Sequence, residues 1–223
     1  MKKIIIALDG PAGSGKSTTA RLVAEKLGYT YVDTGAMYRA ITLAALEQNI
    51  QLEETPLTEL VKTIEVELRQ SPKGQRTFLN GVDVSERIRE TDVTANVSVV
   101  SAISSVRQKM VFLQKRLGKS GGIVMDGRDI GTVVFPQAEL KVFMVADIRK
   151  RAARRYAEMG NTDNSIEDIA ALIAQRDILD STREISPLTK ADDAVEIDTS
   201  DLTIQQQVEM ILQLAEQKIS SSC

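Results

Sequence analysis

The stretch Gly10-Pro11-Ala12-Gly13-Ser14-Gly15-Lys16-Ser17, followed by Thr18, constrains this chain more than any other, because it fits the pattern G-x-x-x-x-G-K-[ST]. Its setting matters as much as its letters. The preceding run from Ile4 to Leu8 is continuously apolar and rich in β-branched residues, as in a strand covered on both faces of a parallel sheet. After it, Ala20, Val23, Ala24 and Leu27 share one face of a helix expected over 17–27, and Gly28 is a natural stop. Glycines in such a turn let successive backbone N–H groups face a phosphate, and the helix start adds roughly half a unit of positive charge. Lys16 is then placed for the β and γ phosphates of ATP, and the Ser17 hydroxyl for Mg²⁺. Residues 10–18 are therefore the expected ATP-binding segment; the bland alternative is an ordinary glycine turn.

Composition limits the chemistry. The chain of 223 residues is long enough for one sizeable core with a small insertion. Its net charge of -3 gives no overall pull toward nucleic acid or an anionic membrane, so any anion must be held by local basic clusters. With no histidine, Ser–His and Cys–His pairings and the usual zinc ligand sets are excluded. Cys223 is the only cysteine, so no intrachain disulfide can form. Lys2 and Lys3 before an apolar run mimic a secretory signal, but Asp9 interrupts that run too early, and a cytoplasmic location is expected.

Strands are expected at Tyr29–Val32, Ile123–Met125, Leu140–Val145 and Val195–Ile197, alternating with helical patterns at 36–48, 148–159 and 166–181. A capping signal at Ser165 and Asp168, and another at Thr203 and Gln206 before the last amphipathic helix, mark helix starts. Residues 220–223 are expected to fray. The alternation breaks at 64–84, where Ser71-Pro72-Lys73-Gly74 and Asn80-Gly81 signal a β-hairpin, and two helical segments (94–101 and 106–117) lead back. The expected fold is an α/β three-layer structure: a five-stranded parallel sheet flanked by helices, an inserted small α/β subdomain and a helical lid. The boundaries expected within this single domain are 1–56, 102–147 and 184–223 for the core, 57–101 for the insertion and 148–183 for the lid. No exposed apolar stripe is evident, so a monomer is expected.

Two further stretches lie at strand ends, on the ligand-binding rim of an open α/β sheet. In Asp33-Thr34-Gly35-Ala36-Met37-Tyr38-Arg39, a second phosphate could meet N–H groups near Thr34 and the fork of Arg39. Asp126-Gly127-Arg128-Asp129 supplies another arginine with an acceptor beside it, and Asp126 is a candidate carboxylate for Mg²⁺, directly or through water. Each arginine taken alone is equally compatible with a surface ion pair. A guanine-reading Asn-Lys-x-Asp motif is absent, which argues against a GTP switch.

These residues, with the long stretch Asp126 to Pro136 and the run from Arg176 through Asp180 and Arg183 to Ser186-Pro187-Leu188, resemble the bacterial cytidylate kinases over nearly the whole chain. The resemblance implies phosphorylation of cytidylate, and of deoxycytidylate, by ATP with Mg²⁺. It implies that Ser98, Arg107 and Asp129 read the cytosine edge, and that Arg176 and Asp180 contact the ribose. Thr34, Arg39, Arg128 and Arg183 would hold the acceptor phosphate; the family often has Ser where Thr34 stands. Arg151, Arg154 and Arg155 would belong to the lid, on one helical face, closing over the γ-phosphoryl group beside Lys16, Arg128 and Arg183. A solvated basic face, neutralised by Asp147, Glu158 and Asp163, is the alternative for these three. The loop 198–201 fits either an adenine border or a plain capping turn. Two other readings stay open: a kinase of a small hydroxyl acceptor such as shikimate or a sugar acid, with Asp33 or Asp126 as base, and a non-enzymatic ATP-sensing switch.

Overall fold

The computed structural model describes residues 3–72, 74–160 and 164–220, so Lys73 of the expected hairpin turn, Asp163, and the fraying segment 221–223 lie outside the described residues. Its contacts divide the chain into two compact units, residues 1–31 with 120–223 and residues 32–119. Among the described residues, no helix is long and apolar enough to cross a membrane.

The first unit is built on β1 (Ile5–Asp9), whose apolar run sits in the middle of a five-stranded parallel sheet. With β2 (Thr30–Asp33), β6 (Ile123–Gly127), β7 (Leu140–Val145) and β8 (Val195–Asp198), the strand order is β2-β6-β1-β7-β8. The register sets Leu8 opposite Asp126 and Asp9 opposite both Gly127 and Phe143, so β1 and β6 finish level while β7 runs on to Val145. Residues of a central parallel strand are covered on both faces, and Ile4, Ile6 and Leu8 are accordingly fully buried. Their cluster includes Ala20, Val23 and Ala24 of α1 (Lys16–Leu27) and Val208, Ile211 and Ala215 of α8 (Ile204–Ser220). Helices α6 (Ile148–Met159) and α7 (Ile166–Thr182) pair through a smaller cluster of Ala152, Ile169 and Ile173. The capping box at Ser165 and Asp168 is formed, as is the reciprocal pairing of Thr203 with Gln206.

The second unit surrounds α2 (Thr34–Glu47), most of whose side chains are buried, which explains its lack of a polar face. Around it lie α4 (Thr91–Ala102), α5 (Ser104–Leu117) and an antiparallel sheet of β3 (Val66–Ser71), β4 (Gly74–Leu79) and β5 (Val82–Asp83). Asn80 and Gly81 both have positive φ (49° and 80°), the backbone that a two-residue hairpin turn demands. The expected insertion 57–101 lies inside this unit.

Two elements go beyond the sequence reading. Helix α3 (Glu54–Thr63) buries Leu57, Leu60 and Val61, a spacing of three and four that does mark one helical face. A π-helical turn, Ile130–Val134, follows β6 where the letters suggest only a loop. Asp9 explains it, since its carboxylate accepts from the Ile130 and Gly131 N–H groups at 2.8 and 2.7 Å, fixing the start of that turn from another strand.

Because Ile6 is central and fully buried, Ile6→Ala should lower unfolding free energy by about 2–5 kcal/mol. Urea denaturation followed by far-ultraviolet circular dichroism measures this directly; a loss under about 1 kcal/mol would contradict the central packing of β1.

Candidate active site

At the end of β1 the chain leaves through Gly10, where an added Cβ would lie 2.1 Å from the Met144 carbonyl oxygen of β7. Only glycine lets the loop turn this close to the neighbouring strand. Gly15, at φ 91°, is the residue from which α1 starts, and no side chain caps that helix end. Its free N–H groups are available to an anion. Lys16 is 5% exposed, and its ammonium donates to the Pro11 carbonyl at 2.6 Å and to Ser14 Oγ at 3.2 Å. Burial, reinforced by the charge of Arg128, pulls its pKa well below the usual lysine range, against the opposing pull of Asp126 and Asp9. A bound polyphosphate would add negative charge that favours the ammonium.

Asp126, at the end of β6, accepts from Ser17 Oγ at 2.7 Å and from the Tyr31 hydroxyl at 2.9 Å. A hydroxyl and a carboxylate oxygen side by side suit Mg²⁺, which takes one or two protein oxygens and completes its shell with water and phosphate. Such a site does not need three acidic ligands, and none such is grouped among the described residues. Asp9 is also buried here. Its pKa is pushed up to about 6 by burial, although the Gly131 and Ile130 N–H groups oppose the shift.

Five of the residues expected on the acceptor side lie together where β6 meets α7 in the same unit. Arg128 Nε donates to Asp180 Oδ2 at 2.8 Å, and Arg176 lies 4.0 Å from the same oxygen. Burial disfavours the Asp180 carboxylate, but Arg128, Arg176 and Arg183 together hold its pKa below the usual range. Burial likewise works against the Arg128 charge, and Asp180 more than offsets it, raising its pKa. Arg183 reaches to 3.9 Å of Asp129, with both side chains almost wholly buried, and donates from Nε to the Ser186 carbonyl. Partly buried arginines gathered around buried carboxylates form a hydrogen-bonding, cationic surface that suits phosphate and ribose.

In the second unit, Asp33 caps α2 by accepting from the Ala36 N–H at 2.9 Å, and pairs with Arg39 at 2.9 Å. Burial raises its pKa, but Arg39 and that N–H outweigh it and leave the carboxylate below its usual range. A Cβ on Gly35 would lie 2.9 Å from Arg39 Nη1, so glycine leaves room for the guanidinium beside the helix start. Thr34 is buried at that same helix start, and the Asp33 N–H donates to Gln75 Oε1 of β4. Ser98 and Arg107 are also buried; Arg107 lies over the Tyr38 ring at 5.5 Å and donates to the Ser101 carbonyl.

The three arginines expected in the lid separate by environment. Arg151 is 6% exposed and donates to the Ala146 carbonyl, the Ala12 carbonyl and Asp177 Oδ2. Arg154 donates to Thr199, through its carbonyl and its hydroxyl. Arg155 is exposed and pairs with Glu158. Asp147 serves as the α6 cap, accepting from the Arg149 and Lys150 N–H groups. Tyr31, Asp9 and Gln75 are signalled by no motif; each is a common residue whose partner is distant in sequence.

Removing Asp180 strands a largely buried Arg128. Asp180→Ala should therefore destabilise the protein by up to about 3 kcal/mol, at the low end for a broken buried pair because Arg128 keeps some contact with water. Chemical denaturation checks it, and a change below about 0.5 kcal/mol would mean that the pair is decorative.

A family model described as cytidylate kinase matches residues 6–217. A protein named cytidylate kinase from Bacillus subtilis (strain 168) is 52% identical over 220 residues, covering 97% of this chain and 98% of that relative. Another of that name from Bacillus cereus (strain B4264) is 53% identical over 216 residues, covering 96% of each. Among solved structures, a gluconokinase from Sinorhizobium meliloti 1021 is similar at a TM-score of 0.53 and 14% identity, covering 100% of this chain and 99% of that one. At that identity the likeness concerns the fold alone. The sequence matches reach further: from end to end of the described core, this chain belongs to the cytidylate kinase family.

Proposed function

We propose that this protein transfers the γ-phosphoryl group of ATP to cytidylate, and also to deoxycytidylate, giving the diphosphate and ADP. The observation that carries the reading is the pairing of a phosphate loop ending in Lys16 and Ser17 with a partly buried arginine–carboxylate group, Arg128, Asp129, Arg176, Asp180 and Arg183. Membership of the family supplies the acceptor's identity.

Residues 10–18 take the triphosphate of ATP in this reading. Ser17 and Asp126 would hold Mg²⁺, which when bound neutralises phosphate charge and orients the oxygens it touches. By the family resemblance, Thr34, Arg39, Arg128 and Arg183 are assigned to the acceptor phosphate. Asp129, Ser98 and Arg107 are assigned to the cytosine edge: a carboxylate accepts from its amino group, and the other two donate to its carbonyl and ring nitrogen. Arg176 and Asp180 are assigned to the ribose. Of the lid cations, Arg155, exposed on α6 and with the most freedom to swing, is assigned with Arg154 to the charge around the γ-phosphoryl group, whereas Arg151 is held by the Ala146 and Ala12 carbonyls and Asp177.

In the reaction an oxygen of the acceptor phosphate attacks the γ-phosphorus, and the bond from that phosphorus to the β–γ bridging oxygen breaks, leaving the electron pair on ADP. A phosphate monoester is already largely dianionic at neutral pH, its second pKa being about 6, so no general base is needed. This suits a chain without histidine. Rate then comes from alignment and from cations placed where charge develops. The substrates are metabolites of the cytoplasm, which is the compartment assigned, and a monomer is sufficient for the chemistry.

An ADP-release assay across nucleoside monophosphates, shikimate and gluconate tests the reading. Cytidylate and deoxycytidylate should give the highest kcat/KM, and Lys16→Met should lower it by roughly 10²-fold or more with the fold intact. A hydroxyl acceptor outperforming cytidylate would overturn the proposal, as would ATP binding without any acceptor-dependent turnover.

Asp129→Ala isolates base reading. It should raise KM for cytidylate by roughly 10-fold or more, the effect of losing a charged hydrogen bond, while KM for ATP moves less than about 3-fold. Equal changes for both substrates would remove Asp129 from cytosine recognition.

A further inference from the structure

A phosphate loop works only if its peptide N–H groups point inward, and each peptide plane that does so turns its C=O outward. Those carbonyls are then far from the ligand and need donors of their own. In this protein every carbonyl from residue 11 to residue 15 has one. Lys16 Nζ donates to Pro11 at 2.6 Å, Arg151 Nη1 to Ala12 at 3.1 Å, Arg154 Nη1 to Gly13 at 3.5 Å and Thr199 Oγ1 to Ser14 at 2.9 Å, while the Thr19 N–H closes the first helical bond to Gly15 at 3.1 Å. Two of these donors are built in firmly. Thr199 is fully buried, and its hydroxyl lies 2.9 Å from the Ser14 carbonyl and 3.0 Å from the Val145 carbonyl; because the Thr199 N–H already serves Val145 at 2.8 Å, Ser14 is the carbonyl that needs the hydroxyl proton. Arg151 is fixed by three acceptors at once, and its Cβ lies 3.2 Å from where a side chain on Gly13 would begin.

We propose that Arg151 and Thr199 are positioning residues that form an outer wall to the phosphate loop, holding the Ala12 and Ser14 carbonyls outward so that the next N–H groups face the triphosphate of ATP. The inference rests on the nucleotide-binding reading of residues 10–18 and assigns Arg151 a place behind the loop instead of on the transferring group. The two donors come from different elements, α6 and the loop after β8. Through Asp177 of α7, Arg151 also ties both lid helices to the loop.

Two conservative substitutions test this with equilibrium titration calorimetry and steady-state kinetics on the full chain. Thr199→Val keeps the shape and removes the donor; Arg151→Lys keeps the charge and removes the fork. Each should weaken binding of MgATP by roughly 5- to 30-fold, the effect of one or two lost hydrogen bonds, with cytidylate affinity within 2-fold of wild type. Thr199→Ser, which restores a hydroxyl, should recover ATP affinity to within about 3-fold. Wild-type ATP affinity in both Thr199→Val and Arg151→Lys would overturn the proposal. So would equal weakening of both substrates, failure of Thr199→Ser to rescue, or a fall in kcat for Arg151→Lys at unchanged ATP affinity, which would put Arg151 on the reacting phosphoryl group. Wild-type protein that did not bind MgATP would instead overturn the nucleotide reading itself, and this inference with it.

Discussion

The parallel register of β1 against β6 is the constraint on which the nucleotide end of the molecule depends. It sets Leu8 beside Asp126 and Asp9 beside Gly127, so the phosphate loop and the carboxylate that pairs with Ser17 emerge from adjacent strands at the same level. A register shift of one residue would also turn each β1 side chain to the opposite face. Packing of Ile4, Ile6 and Leu8 among α1 and α8 therefore fixes the height of the loop as well as the core. Asp9 adds a second tie, since its two bonds to the Ile130 and Gly131 N–H groups shape the turn after β6 that carries the chain away from Arg128 and Asp129.

Charge is organised in the same economical way. The chain is slightly acidic overall, and its less exposed arginines Arg39, Arg128 and Arg183 each lie against a carboxylate that orients them. Asp180 serves Arg128 and Arg176, Asp129 faces Arg183, and in the other unit Asp33 both caps α2 and pairs with Arg39. Each carboxylate lowers the cost of desolvating a guanidinium that would otherwise be expensive to bury. An arginine held in this way is aimed before a phosphate arrives, which suits catalysis by positioning more than by proton transfer.

Much of this was legible in the letters. The apolar run, the glycine turn and the amphipathic stretch after it could form only one local unit, because strand, loop and helix signals fall in sequence order without conflict. The helices at 148–159 and 166–182, the capping boxes and the Asn80-Gly81 turn follow from short-range rules and stand where those rules put them. Helix α3 was also written, in the spacing of Leu57, Leu60 and Val61, but it is short and follows a run of charged residues. The family resemblance carried the acceptor residues by name, since nothing in the spacing of Ser98, Arg107 and Asp129 assigns them a shared task.

What the sequence by itself determined was local: which segments are strands and helices, where a phosphate loop must lie, and which chemistry an absence of histidine forbids. The tertiary structure alone decided which carbonyls and carboxylates those segments would meet. Tyr31 on Asp126, Asp9 on the 130–131 turn, Thr199 on Ser14 and Arg151 on Ala12 each join residues about 95 to 185 positions apart. Such partners are hydrogen-bond donors and acceptors of ordinary type, and no periodicity records them. Their pairing is set by strand order and helix packing, the two things that short-range signals do not encode.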